Sequence, residues 1–198
     1  MLKSLLIPAV VLLAGNASAQ VAAPAFEDGP GPNMVIEVAA ADGTAKGTIT
    51  LDLLADAAPK HVERLVALAK EGAYDGVVFH RVIDGFMAQT GDVQYGKQGG
   101  NTSMAGSGGS DQPDLKAEFS DIPFQAGTVG MARAQSVDSA NSQFFIDLAP
   151  APFLNGKYTV VGQLIDGWDV LNSITKGDEQ QNGAVQTPDY MAKVTITE

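Results

Sequence analysis

Residues 79–92 read Phe79-His80-Arg81-Val82-Ile83-Asp84-Gly85-Phe86-Met87-Ala88-Gln89-Thr90-Gly91-Asp92. The run opens as a strand, because Val77 to Ile83 is rich in β-branched and aromatic residues. Strand alternation puts Arg81 and Phe79 on one face and His80 and Val82 on the other. A guanidinium beside Phe, Met and Gly has two readings. It pairs with a carboxylate as a structural ion pair, the commoner case, or it points its fork of donors into a groove. No acid shares its strand face, so both readings stand.

Working outward from that run, Met34 to Val38 is β-rich and Gly47 to Leu53 alternates cleanly, with Ala41-Asp42-Gly43-Thr44 between them. Asp-Gly between two alternating runs predicts a hairpin. The period then changes. Pro59 stands at a first helical position, and Val62, Leu65, Val66, Leu68 and Ala69 form an apolar stripe through residues 60–70. Lys70 lies in the last turn and Gly72 just past it. His61, near the helix start, is expected to be exposed. Toward the C-terminus, residues 91–112 carry seven of the 22 glycines and read as a long irregular loop. Strands are expected over residues 127–132, 143–148, 159–165 and 191–197, with a short helix over 168–174. Trp168 is expected in the core under that helix, and Tyr74 and Tyr95 at the surface. The pattern predicts a mainly β domain. One economical form is a closed eight-stranded antiparallel barrel capped by two helices, with a sandwich as the competitor.

Composition narrows the chemistry. The chain has 198 residues, no cysteine, two histidines and a formal net charge of −11. Disulfides, cysteine-ligated metals and a thiol nucleophile are excluded. Two histidines forbid a three-histidine zinc site, though not one completed by a carboxylate. An acidic chain with scattered Lys and Arg argues against nucleic-acid binding. No G-x-S-x-G elbow is present, which leaves a serine hydrolase without its nucleophile motif.

Residues 1–19 read as a signal peptide: Lys3, an apolar core over residues 5–14, and Ala17-Ser18-Ala19 as a cleavage site before Gln20. The apolar stretch falls well short of the ~20 residues that span a bilayer. Residues 20–32 read as a flexible linker and 33–198 as one domain. The mature chain is expected in the periplasm, without a membrane span.

Two further blocks complete the pattern: Gly130-Met131-Ala132-Arg133-Ala134 followed by Ser142-Gln143-Phe144-Phe145-Ile146, and Pro152-Phe153-Leu154-Asn155-Gly156-Lys157-Tyr158-Thr159-Val160-Val161-Gly162. In this order the three blocks resemble the cyclophilin-type peptidyl-prolyl cis-trans isomerases, from about Met34 onward. The family's eight-stranded barrel with two capping helices agrees with the strand count above. The resemblance implies an enzyme that isomerises X-Pro bonds, needs no cofactor or metal, and acts as a monomer on proline-containing peptides and unfolded exported proteins.

Residue by residue, Arg81 matches the family's catalytic arginine. Phe86, Met87, Phe145 and Leu154 match the pocket for the proline ring, and Gln89 the glutamine near the substrate carbonyl. Ala132, Arg133 and Ala134 match the segment whose backbone pairs with an extended substrate, and Gln143 lines the same groove. His80 is assigned a supporting role. Phe153 stands where many eukaryotic members carry Trp, which weakens the expectation of cyclosporin binding, and Tyr158 where they carry His. Arg133 replaces a common Asn and adds a positive charge near the groove. A proline-peptide binding module without turnover is the alternative, and it has no need of Arg81.

Overall fold

A computed structural model describes Ala23 and residues 26–198. The expected signal peptide and most of the expected linker lie outside the described residues.

The first two strands form the predicted hairpin. β1 (Asn33–Ala39) pairs antiparallel with β2 (Ala45–Leu53), setting buried Ile36 against Ile49 and Met34 against Leu51. In the turn, the Asp42 carboxylate accepts the Thr44 amide at 2.9 Å. Helix α1 (Pro59–Lys70) starts on its proline and buries Val62, Leu65, Leu68 and Ala69. Its end is a Schellman motif: Ala73 N–H donates to the Leu68 carbonyl and Gly72 N–H to that of Ala69. Gly72 takes the left-handed φ of 70° that the motif needs.

His61 corrects an expectation. It is fully buried, because it stands four and seven residues before Leu65 and Leu68 on the same helix face. Its Nδ1 lies 2.7 Å from a Glu118 oxygen, which also accepts the Lys60 and His61 amides. Glu118, fifty-odd residues downstream, thus caps a helix that lacks its own side-chain cap. These bonds hold the Glu118 carboxyl below its ordinary range, against the opposing effect of burial.

The strand expected over residues 77–83 is broken. β3 (Val77–Val78) and β4 (Arg81–Ile83) flank Phe79 and His80, where Phe79 N–H donates to the Asp189 carbonyl and the His80 carbonyl accepts the Val185 amide. The remaining strands are β5 (Met87–Thr90), β6 (Thr128–Met131), β7 (Phe144–Asp147), β8 (Val160–Asp166) and β9 (Tyr190–Thr197). Helix α2 (Trp168–Ser173) buries Trp168, as expected. All belong to one antiparallel sheet of order β3-β9-β1-β2-β8-β6-β7-β5-β4.

The closed eight-stranded barrel is therefore corrected to a curled nine-stranded half-barrel, and the single sheet removes the sandwich. The physical reason is the break at Phe79–His80. It makes two short edge strands, of two and three residues, from one segment. They sit at opposite ends of the sheet order and are joined by chain rather than by a ladder.

The larger core cluster fills the curl, and a smaller one, built on Met87, Phe124, Phe145 and Leu154, lies across the sheet. Phe144 belongs to the first and Phe145 to the second, as strand alternation requires. Tyr74 also corrects the sequence reading. It is fully buried, edge-on to Phe144 at 5.8 Å, with its hydroxyl donating to the Ser142 carbonyl.

Candidate active site

Four strands bring the chemistry into one row. Arg81 on β4 pairs with Gln89 on β5, Gln89 with Phe145 on β7, and Phe145 with Gly130 on β6. The glycine is required by a close approach. A Cβ at position 130 would stand 2.5 Å from Phe145 Cζ and 2.7 Å from Phe124 Cε1. The Phe145 ring lies in that space, stacked on Phe124 at 5.8 Å.

In front of the row is a cavity of about 440 Å³, with Phe86, Met87, Phe145, Leu154 and Tyr158 as its apolar walls and Arg81 on its rim. Phe153 closes the outer edge, packed at 5.4 Å against Phe86 and 58% exposed. Tyr158 stands edge-on to Phe145, and the Arg133 guanidinium covers its ring at 4.4 Å. A second cavity of similar size adjoins the first, sharing Gln89, Ala132 and Arg133. It is lined further by Ala134, Gln143 and the glycine-rich segment 106–110. The nine residues matched to the pocket and groove therefore line these two cavities, together with Arg81, Phe153 and Tyr158.

Two of the three backbone amides over residues 132–134 are already bonded within the chain. Ala132 N–H donates to the Gln143 carbonyl and Ala134 N–H to Ser139 Oγ. Arg133 N–H is the donor of that segment without a partner among the described residues.

Arg81 is held from two sides. Its Nη1 donates to Gln89 Oε1 at 3.1 Å, while Nε and Nη2 donate to the carbonyl and side-chain oxygens of Asn182, each at 3.0 Å. Because arginine only donates, Gln89 must present its oxygen to it. Gln89 Nε2 then donates to Gln143 Oε1 at 3.0 Å, and Gln143 Nε2 to the Gly108 carbonyl at 2.8 Å. Asp92, fully buried, fixes that end of the relay by accepting the amides of Gln94, Tyr95, Gly106 and Gly108. The structural ion pair is thus not the arrangement found, since every partner of Arg81 is neutral. Of its five N–H groups, one on Nη2 has no acceptor among the described residues. One on Nη1 faces only Met87 Sδ at 3.9 Å, a weak acceptor.

His80 is buried and makes no hydrogen bond through either ring nitrogen, to Arg81 or to any other described residue. Burial holds it neutral, with its pKa pushed down to about 4.

Three contributors were missed by sequence reasoning. Asn182 sits in a turn at a left-handed φ of 56°, and the Asn182-Gly183 pair is a legible turn signal that says nothing of its partner. Asp92 reads as an ordinary loop acid. Asp147 follows Phe145 on the same strand face, is fully buried, and has no partner for either oxygen among the described residues. Burial pushes its carboxyl up to about 8.

The site these strands form is an apolar cavity of about 440 Å³ with a guanidinium held beside it by neutral partners. The family model for "Cyclophilin type peptidyl-prolyl cis-trans isomerase/CLD" matches residues 35–196, and the chain belongs to that family. A "Probable peptidyl-prolyl cis-trans isomerase" of Brucella suis is 57% identical over 152 residues, covering 76% of this chain and 78% of that protein. A peptidyl-prolyl cis-trans isomerase of Helicobacter pylori is 41% identical, covering 68% of this chain and 79% of that protein. Among solved structures, a cyclophilin of Hirschia baltica superposes with a TM-score of 0.68 at 24% identity, covering 85% of this chain and 74% of that one. A cyclophilin-type isomerase of Cryptosporidium parvum, crystallised in the presence of the dipeptide Ala-Pro, gives 0.69 at 25% identity, covering 84% and 99%. The protein is a cyclophilin-type peptidyl-prolyl cis-trans isomerase.

Proposed function

We propose that this chain isomerises X-Pro bonds by donating a hydrogen bond from Arg81 to the prolyl nitrogen of the twisted amide. Rotation faces a barrier of ~18–20 kcal/mol, set by delocalisation of the nitrogen lone pair into the carbonyl. In the twisted state that lone pair is localised. A donor aimed at it stabilises the transition state more than either planar ground state. The apolar cavity grips the proline ring, Gln89 faces the preceding carbonyl, and residues 132–134 align the chain. The observation that carries this reading is the clamp on Arg81: Gln89 and Asn182 fix its plane while free N–H groups remain beside the cavity.

The substrates are proline-containing segments of unfolded exported proteins, and the enzyme works as a monomer in the periplasm. Residues 1–19, with their charged start, apolar core and small-residue cleavage site, support export. Among the described residues no helix is long and apolar enough to cross a membrane.

The test is exchange on an Ala-Ala-Pro-Phe peptide by wild type and Arg81→Ala. Turnover is expected to fall by ~10²–10³-fold, the usual loss on removing one preorganised donor, with thermal stability nearly unchanged. Equal loss of stability and activity makes Arg81 structural. Peptide binding by wild type without acceleration indicates a binding module.

A further inference from the structure

The proline cavity carries a charge opposite to that of the molecule. The chain has 23 acidic and 12 basic residues. Yet Arg81, Arg133 and Lys157 all line the proline cavity, and no Asp or Glu does. None of the three is ion-paired to a carboxylate among the described residues. The adjoining cavity has one acid, Asp114, which accepts a hydrogen bond from Asn141.

Arg133 stands at the seam between the cavities, and its contacts are all with neutral groups. Nε and Nη2 donate to the Lys157 carbonyl at 3.3 and 3.1 Å, and Nη1 to the Ala134 and Gln135 carbonyls at 3.0 and 3.3 Å. The Tyr158 ring lies under its plane. Carbonyls and a ring fix the side chain without neutralising it. Among the described residues, Lys157 Nζ likewise donates only to the Phe153 carbonyl. A concave, partly apolar site with like charges on its wall focuses field into the groove.

We infer that the enzyme selects X-Pro segments bearing Asp or Glu on a residue immediately flanking the proline, with Arg133 as the principal selector and Lys157 its auxiliary. The inference rests on the isomerase reading above. An acidic flank meets a preset cation whose ordering is already complete. A basic flank is repelled by three unpaired charges, so discrimination has an attractive and a repulsive part.

The experiment compares kcat/KM on Ala-X-Pro-Phe and Ala-Ala-Pro-X peptides with X as Glu, Ala or Lys, for wild type and Arg133→Glu. At 20 mM salt the wild-type Glu-to-Lys ratio is expected to be about tenfold in at least one series, since exposed pairs give up to about fivefold each. It should shrink toward unity at 0.5 M salt and invert in Arg133→Glu. Working with the ratio removes any general loss of activity in the variant. If Arg133→Glu does not fold, the wild-type salt series and Lys157→Glu carry the test. A ratio near one at low salt, or one that salt and the charge reversals leave alone, overturns the inference while the isomerase stands. If no peptide is accelerated at all, the isomerase reading itself has failed.

Discussion

Replacing Asp147 with Asn removes a titratable group from the buried face of β7 that carries Phe145 while keeping its shape. Asp147 is fully buried at the end of β7, on the face that carries Phe145, with neither oxygen bonded among the described residues. Burial alone raises its carboxyl from 3.8 to about 8. The folded state therefore keeps a proton that the unfolded chain releases between those two values. Stability attributable to this group is fully present below pH ~4. It declines by ~1.4 kcal/mol per pH unit as pH rises toward 8, then levels off. By pH 7 the accumulated loss is ~4 kcal/mol, a large share of the ~5–15 kcal/mol that holds a domain together. Asn cannot ionise, so Asp147→Asn should gain on wild type by a margin that is smallest at pH 4.5 and grows by several kcal/mol by pH 8. Urea unfolding at one-unit pH steps measures that difference. Subtracting the two curves cancels Asp75 and Glu118, whose depressed values act in the opposite sense at lower pH. Parallel curves between pH 4.5 and 8 would falsify the assignment, because the carboxyl would then already be ionised in the folded state.

Asn182→Ala removes the Oδ1 acceptor of Arg81 but keeps the backbone one; kcat should drop by about tenfold with KM little changed, as expected for losing orientation of a transition-state donor. A change confined to KM would place Asn182 in substrate binding instead. Gln143→Leu cuts the relay between Gln89 and the Gly108 carbonyl and should lower kcat/KM by about three- to tenfold; an unaffected rate shows that Gln89 is oriented by Arg81 alone. Gly130→Ala inserts a methyl 2.5 Å from Phe145 Cζ. Denaturation should register ~1–3 kcal/mol of overpacking, together with loss of peptide affinity as Phe145 is pushed into the cavity. Retained affinity at wild-type stability argues against the ring placement.

What could be read from the sequence was local. The β1–β2 hairpin rests on Asp42-Gly43 and two alternating runs, and α1 on Pro59, a stripe and Gly72; all are within a few residues of their causes. The Arg81–Gln89 pairing spans one turn, so alternation plus the Gly85 turn brings it within reach of sequence reasoning. The break at Phe79–His80 was not legible, because the partners on its two sides come from the far end of the chain: Phe79 extends the β3–β9 register to Asp189, while the His80 carbonyl takes the Val185 amide. His61 was misjudged from its place near the helix start, although its spacing from Leu65 and Leu68 placed it on the buried stripe. Asn182 lies 101 residues from the guanidinium it orients, and no periodicity reports such a contact. Nothing in the sequence around Asp147 marks it as buried; its pairing with Met87 across the sheet is a contact sixty residues away in the chain. The family resemblance reached the pocket residues but not these supports, since the resemblance was carried by the three quoted blocks.

The split between β3 and β4 bears on how this catalyst comes into being. β3 pairs with β9, the last strand, and Arg81 is aligned by the turn at Asn182. A chain emerging N-terminus first therefore displays its guanidinium long before anything can aim it. Isomerase activity should switch on only after Asn182 and β9 have been synthesised and can fold back onto β3 and β4. Until then the nascent chain has no working site with which to assist its own prolines, and it relies on other isomerases or on slow spontaneous exchange.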